Sequence, residues 1–175
     1  SFLRAKGIHV GHSKISRESV AAAKKILAKK NASKIILAKD VIVSNSLQKN
    51  AKHVTVSVTE IPNNAIGLDI GPKSLKELLA LVKKSDQVIF NGPLGLTEFP
   101  AYRKSTTKLI KELALSNART IIGGGETSEL ITKMKLRNHI THLSTGGGAT
   151  LALLSKKPLP ALDALARSAT KFKLR

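Results

Sequence analysis

Thr120-Ile121-Ile122-Gly123-Gly124-Gly125-Glu126-Thr127 is the stretch that sets the fold of this chain. Its apolar, β-branched opening reads as a strand, its three glycines as a turn, and Glu126-Thr127 as the start of a helix. The same order occurs twice more. Gln87-Val88-Ile89-Phe90 runs into Asn91-Gly92-Pro93-Leu94-Gly95, and Thr141-His142-Leu143 runs into Ser144-Thr145-Gly146-Gly147-Gly148. Strand, glycine turn and helix in succession predict an α/β fold: a doubly wound, mostly parallel sheet with helices on both faces. In such sheets the loops at the carboxyl ends of the strands form the ligand crevice. Glycine there lets backbone N–H groups approach a phosphate, and the helix dipole behind them favours negative charge.

Outward from these loops, Ser16 caps an expected helix over 17–30, with Val20, Ala23, Ile26 and Leu27 as its apolar stripe. Residues 35–37 and 41–43 are strand candidates, and 54–58 alternates like a half-exposed strand. Residues 67–72 give a short strand and a tight loop. Ser74 is the expected cap of a helix over 75–84, with Leu78, Leu79 and Val82 inward. A helix over 102–115 should pack through Leu109, Ile110, Leu113 and Leu115. Helices over 126–134 and 149–155 come after the second and third glycine loops. The regular part should end at Leu159-Pro160, with a last turn at 164–167. The division expected is one lobe over 1–165 and a loose basic tail over 166–175.

The ionic balance is the outlier of the composition. Thirty Lys and Arg face eleven Asp and Glu, a net charge of +19 on 175 residues. Such an excess implies a polyanionic partner, with nucleic acid first, since each neutralised phosphate releases a counterion. Aromatic residues are only 3%, so base stacking should be slight. The chain has no cysteine, which excludes disulfides and thiolate metal sites. His9, His12, His53, His139 and His142 show no metal-ligand spacing. Apolar runs fall short of the roughly 20 residues needed to span a bilayer, so no membrane partner is expected.

The glycine loops, taken with the segments around them, resemble the C-terminal, nucleotide-binding lobe of the phosphoglycerate kinases. Phe2-Leu3-Arg4-Ala5-Lys6-Gly7 is similar to the family's FLKAxG segment, and Leu37-Ala38-Lys39-Asp40 to LPVD. Gly67-Leu68-Asp69-Ile70-Gly71-Pro72 resembles GLDIGP. Residues 90–98 resemble WNGPMGVFE, residues 121–127 the IGGGD[ST] loop, and residues 142–150 HxSTGGGAS. Leu159-Pro160 and the residues to Leu165 are similar to LPGVxAL. One GGG is weak as a motif; this ordered set is specific. The resemblance implies phosphoryl transfer between 1,3-bisphosphoglycerate and ADP, with magnesium. It implies that Gly67 and Leu68 line an adenine pocket and that Glu98 meets the ribose. Asn91 and Pro93 would sit near the sugar and phosphates. Gly124, Gly125, Glu126 and Thr127 would meet phosphates and metal, with Glu126 the metal carboxylate. Gly146, Gly147 and Gly148 would face the transferring phosphoryl group. ATP or ADP with magnesium are thus the cofactors the resemblance admits.

Some of the family's pattern is different here. The magnesium-site aspartate of GGGD is Glu126, one methylene longer. Thr97 and Phe90 replace aromatic positions, and Lys39 enters LPVD, beside the expected pocket. The substrate-binding lobe and the lysine-bearing GGAKVxDK segment would precede Ser1. From these points the sequence predicts a non-catalytic, kinase-derived domain. It would act as a structural, RNA-contacting component of a ribonucleoprotein such as a mitochondrial ribosome, beside rRNA and neighbouring proteins. The cytoplasm is the second compartment. The candidate RNA contacts are Lys24, Lys25, Lys29 and Lys30, then Arg103, Lys104, Lys108 and Lys111, then Lys156, Lys157, Lys171, Lys173 and Arg175. The alternative is the nucleotide-binding lobe of an active phosphoglycerate kinase.

Overall fold

A computed structural model describes residues 1–48 and 51–172. These form two compact units, one of residues 1–85 and 93–118, the other of 86–92 and the residues from 119 onward.

The first unit begins with α1 (Phe2–Ala5) and α2 (Arg17–Leu27). Ser16 does cap α2, its hydroxyl accepting from Ser19 N at 3.1 Å. The helix ends three residues before the expected bound and gives way to a 3-10 turn, Lys30–Lys34. Three strands come next: β1 (Asp40–Ser44), β2 (Val54–Ser57) and β3 (Ile66–Ile70). They pair antiparallel in the order β2-β1-β3, with Val41 opposite Val56 on one side and Ile70 on the other. Central β1 supplies Val43, which packs on Ile61 and Ala65. Residues 35–37 were expected to be a strand and are not. This segment pairs with none of the three strands, and Ile36 is left 61% exposed.

Two helices complete the unit, α3 (Pro72–Val82) and α4 (Lys104–Leu115). Ser74 is not the cap of α3. Gly71 occupies that position and Pro72 starts the helix, where a missing N–H costs nothing. In α4, Leu109, Ile110 and Leu113 are buried as expected, but Leu115 is 82% exposed. It sits at the last helical position, beyond the reach of the packed stripe. The helix starts at Lys104 and not at Tyr102, and Tyr102 is fully buried ahead of it, edge-on to His53 with ring centroids 5.5 Å apart.

The second unit holds the parallel sheet. Its strands β4 (Gln87–Asn91), β5 (Arg119–Gly123) and β6 (His142–Ser144) lie in the order β4-β5-β6. The register sets Asn91 beside Gly123, and Gly123 beside Ser144. Helix α5 (Gly125–Lys133) packs on β5 and β6 with Leu130 and Ile131 buried, and α6 (Gly147–Leu154) comes after β6. The stretch read as a loose tail is helical instead: α7 spans Pro160–Phe172. Pro160 opens it, as proline favours the first helical position. Its Leu162, Leu165 and Phe172 stay exposed. Lys173 and Arg175 lie outside the described residues.

Candidate functional site

A helix N-terminus presents unsatisfied N–H groups and a partial positive charge, so the group that stands there decides whether it can hold an anion. In the first unit both major helices are closed at this end by a carboxylate from a strand. Asp40 of β1 accepts from Lys73 N at 2.9 Å, from Ser74 N at 2.8 Å and from Ser74 Oγ at 2.6 Å. Burial acts to raise the pKa of this carboxyl, but the hydroxyl and the two N–H donors together outweigh it and hold the group below its ordinary value. Asp69 of β3 does the same for α4, accepting from Ser105 N at 3.1 Å and from its neighbour Ile70 N at 2.8 Å. Here burial wins over the donors and pushes the carboxyl up. These two motif acids are therefore structural.

The second unit is built differently. Its helices α5 and α6 begin directly after glycine loops, and their N-caps are Gly124 and Gly146, which have no side chain to cap with. The loops converge at the carboxyl edge of the sheet. Gly92 N donates to Gly123 O at 3.1 Å, and Gly124 N to Ser144 O at 3.2 Å. At Gly123 and Gly147 the spacing leaves no room for a side chain. A Cβ on Gly123 would meet Asn91 Oδ1 at 2.5 Å, and one on Gly147 would meet Asn91 Oδ1 and Gly124 Cα, each at 3.0 Å. Gly124 has φ +108°, a region that L side chains avoid. Behind this cradle, in the first turn of α5, Thr127 is fully buried and its Oγ1 has no hydrogen-bond partner. A buried polar atom without a partner costs free energy, and Tyr102 Oη of the first unit is in the same state.

The first unit contains an apolar cleft of about 440 Å³, within the roughly 300–1,000 Å³ usual for small-ligand sites. Gly67 and Leu68, which the resemblance assigns to an adenine pocket, line it together with Pro93, expected near the sugar and phosphates, and with Leu3, Val41 and Leu96 among the other walls. The loop of Pro93–Leu96 is fixed to β3 by Leu96 N donating to Leu68 O at 3.0 Å. Gly95 makes that approach feasible, since a Cβ there would stand 2.3 Å from Tyr102 O. Glu98 is exposed and outside this lining. Lys39, expected beside the pocket, is not in the lining and pairs with Glu77 of α3.

The predicted loop residues are thus divided between the units. Asn91, Gly124, Gly125, Glu126, Thr127 and Gly146, Gly147 and Gly148 belong to the second, and Gly67, Leu68, Pro93 and Glu98 to the first. Glu129 is bound to Lys133 at 2.5 Å, one turn on, which lowers its pKa. Among the candidate RNA contacts, Lys24, Lys25, Lys29, Lys30, Lys104, Lys108, Lys111, Lys156, Lys157 and Lys171 are exposed, and Arg103 is half-buried. Among the described residues no three His, Cys, Asp or Glu side chains cluster as a metal cage, and no helix is long and apolar enough to cross a membrane.

The family model for phosphoglycerate kinase matches residues 1–157. The chain belongs to the phosphoglycerate kinase family. A phosphoglycerate kinase of Borreliella afzelii (strain PKo) is 39% identical over 167 residues, which is 94% of this chain and 42% of that protein. One from Synechococcus is 37% identical over 170 residues, 94% of this chain and 41% of that protein. The solved phosphoglycerate kinase of Coxiella burnetii superposes with a TM-score of 0.84 at 33% identity, over 93% of this chain and 42% of that one. That of Pyrococcus horikoshii OT3 gives 0.78 at 27% identity, over 97% and 43%. The chain therefore spans about 42% of the length of the relatives it matches.

In this phosphoglycerate kinase lobe the glycine cradle was legible in the sequence, but the roles of Asp40 and Asp69 were not. Both were visible as motif acids, but no local signal gave their partners, which lie more than 30 positions along the chain.

Proposed function

We propose that the second unit binds the phosphates of a nucleotide. One observation carries this reading: α5 and α6 both start at glycine caps with no side chain to fill the anion end, Gly124 held at φ +108° and Gly147 too closely approached for a Cβ, with the unpartnered Thr127 hydroxyl behind them. The contrast with α3 and α4, whose N-termini are filled by Asp40 and Asp69, supports it. In the first unit the apolar cleft has the volume and lining of a nucleobase pocket. The donor set fits phosphate, and a magnesium ion would come with it. Mg²⁺ keeps several waters and needs only one or two carboxylates beside the phosphates, and Glu126 is the acid in the first turn of α5. Phosphoryl transfer between 1,3-bisphosphoglycerate and ADP is the activity that family membership gives to this reading.

Thr127→Val tests the phosphate half. Losing an unpartnered buried hydroxyl should leave the free protein as stable or more so. Affinity for MgADP and for pyrophosphate should fall about tenfold, or ~1.4 kcal/mol. Calorimetry reads the affinity and thermal unfolding the stability. Unchanged binding by the variant overturns the reading. For the base half, Leu68→Ala should weaken adenosine.

The charge supports a second reading: a non-catalytic, RNA-contacting component of a ribonucleoprotein such as a mitochondrial ribosome. Thirty cations face eleven acids, and the described residues hold three ion pairs. Glu126 in the place of an aspartate also favours it, since the added methylene moves the carboxylate that a magnesium ion would need. RNA affinity that falls steeply between about 50 and 200 mM salt is expected, and a flat response refutes this reading.

A further inference from the structure

We propose that the groove between α3 and α4 is where a single RNA strand lies, its phosphates on two rows of lysines and its sugars on an apolar floor. This placement rests on the RNA-contacting reading. The groove is about 410 Å³, and Leu75 and Leu79 lie along its floor. Lys76 of α3 and Lys83, the residue that ends it, line one side and Lys108 from α4 the other. Beyond the groove, Lys104 and Lys111 continue the row of Lys108 at i, i+4 and i+7, positions that share one helical face. All of these lysines are exposed.

The acids cancel only part of this field: Glu112 also lines the groove and pairs with Lys83, which leaves Lys76 and Lys108 to face an anion there. The two helices carry five lysines and two glutamates, and both glutamates are engaged. Glu112 is 3.4 Å from Lys83, and Glu77 holds Lys39. The helix N-termini add no anion site, because Asp40 and Asp69 occupy them. The result is a furrow with an aliphatic bottom and cationic banks. A phosphodiester chain matches it, since its charge is regularly spaced and its sugar rings accept an apolar surface. The groove has no aromatic lining, so bases gain nothing from stacking and binding should ignore sequence. An acidic peptide is the competing occupant.

The experiment uses a labelled oligouridylate and the whole chain, titrated from about 50 to 200 mM salt. For the triple variant Lys76→Ala, Lys108→Ala, Lys111→Ala, the logarithmic salt slope should shrink by about 2, at about 0.7 per lost phosphate contact. At 0.1 M salt that is roughly a hundredfold loss of affinity. The same three positions changed to Arg should keep the slope, which separates charge from folding. The triple Lys6→Ala, Lys14→Ala, Lys34→Ala, at exposed lysines outside the candidate contacts, should bind like the parent. If that variant loses affinity and the groove variant does not, the placement is overturned while RNA binding by the chain stands. If the unmodified chain binds no oligouridylate, both readings fall. If polyglutamate competes as well as RNA of equal charge, the groove belongs to an acidic protein and the proposal is overturned.

Discussion

Replacing Asp40 should uncouple α3 from β1, and the structure sets the size of the effect. In Asp40→Ala three acceptor contacts disappear: Ser74 N at 2.8 Å, Lys73 N at 2.9 Å and Ser74 Oγ at 2.6 Å. They do not count equally. Ser74 Oγ can still donate to the backbone O of residue 40, at 3.2 Å, so it keeps a partner. Lys73 is exposed, so water can reach its N–H at small cost. Ser74 N is buried, and an orphaned buried donor costs about 1–3 kcal/mol. Loss of a negative charge at the helix start adds about 0.3–1 kcal/mol. The expected destabilisation is therefore about 1.3–4 kcal/mol. Asp40→Asn keeps one acceptor and should cost about half as much. The pH dependence comes from the lowered carboxyl pKa. A group lowered on folding stabilises fully above its unfolded value of 3.8, and that stability is lost as pH falls through the folded value. The gap between the parent and Asp40→Asn should be constant near neutrality and close below about pH 4. Urea unfolding, with hydrogen exchange on the α3 peptide, reads both. A cost under about 0.5 kcal/mol for Asp40→Ala, or a gap that persists into acid, refutes the reasoning.

Asp69 should behave in the opposite sense. Burial raises its pKa, so its replacement by Asn should lose less stability at neutral pH than in acid, where the parent gains by taking up a proton; urea titrations across pH decide it. Gly95→Ala would place a Cβ 2.3 Å from Tyr102 O and 2.6 Å from Asp69 Cγ, so the loop must shift at a cost of about 1–3 kcal/mol. A thermal midpoint unchanged from the parent would contradict that. Tyr102→Phe should be neutral or stabilising, because the buried Oη has no partner; a loss above about 1 kcal/mol would show that the hydroxyl is bonded.

The fold was legible wherever its signal was short-range. Each glycine loop announced a strand before it and a helix after it, and β4, β5 and β6 stand there with α5 and α6 behind the last two. Ser16 could be read as a cap because its partner, Ser19, is three residues on. Errors arose where a distant neighbour decided. Ile35 to Leu37 have the composition of a strand, but they pair with none of β1, β2 or β3. Ser74 has the chemistry of a cap, but Asp40 occupies that place and uses the serine as a donor. Leu115 continues an apolar pattern past the point where anything covers it.

The sequence by itself determined the α/β class, the family and the three glycine loops, because turns, caps and periodicity are properties of neighbouring residues. Only the tertiary structure decided that β1, β2 and β3 pair antiparallel, and which helix ends are closed and which open. Those outcomes depend on contacts between residues far apart in the chain, such as Asp40 with Ser74 and Asp69 with Ser105. Packing selects such pairs from many candidates with the same local chemistry, and local chemistry is all that a linear pattern records.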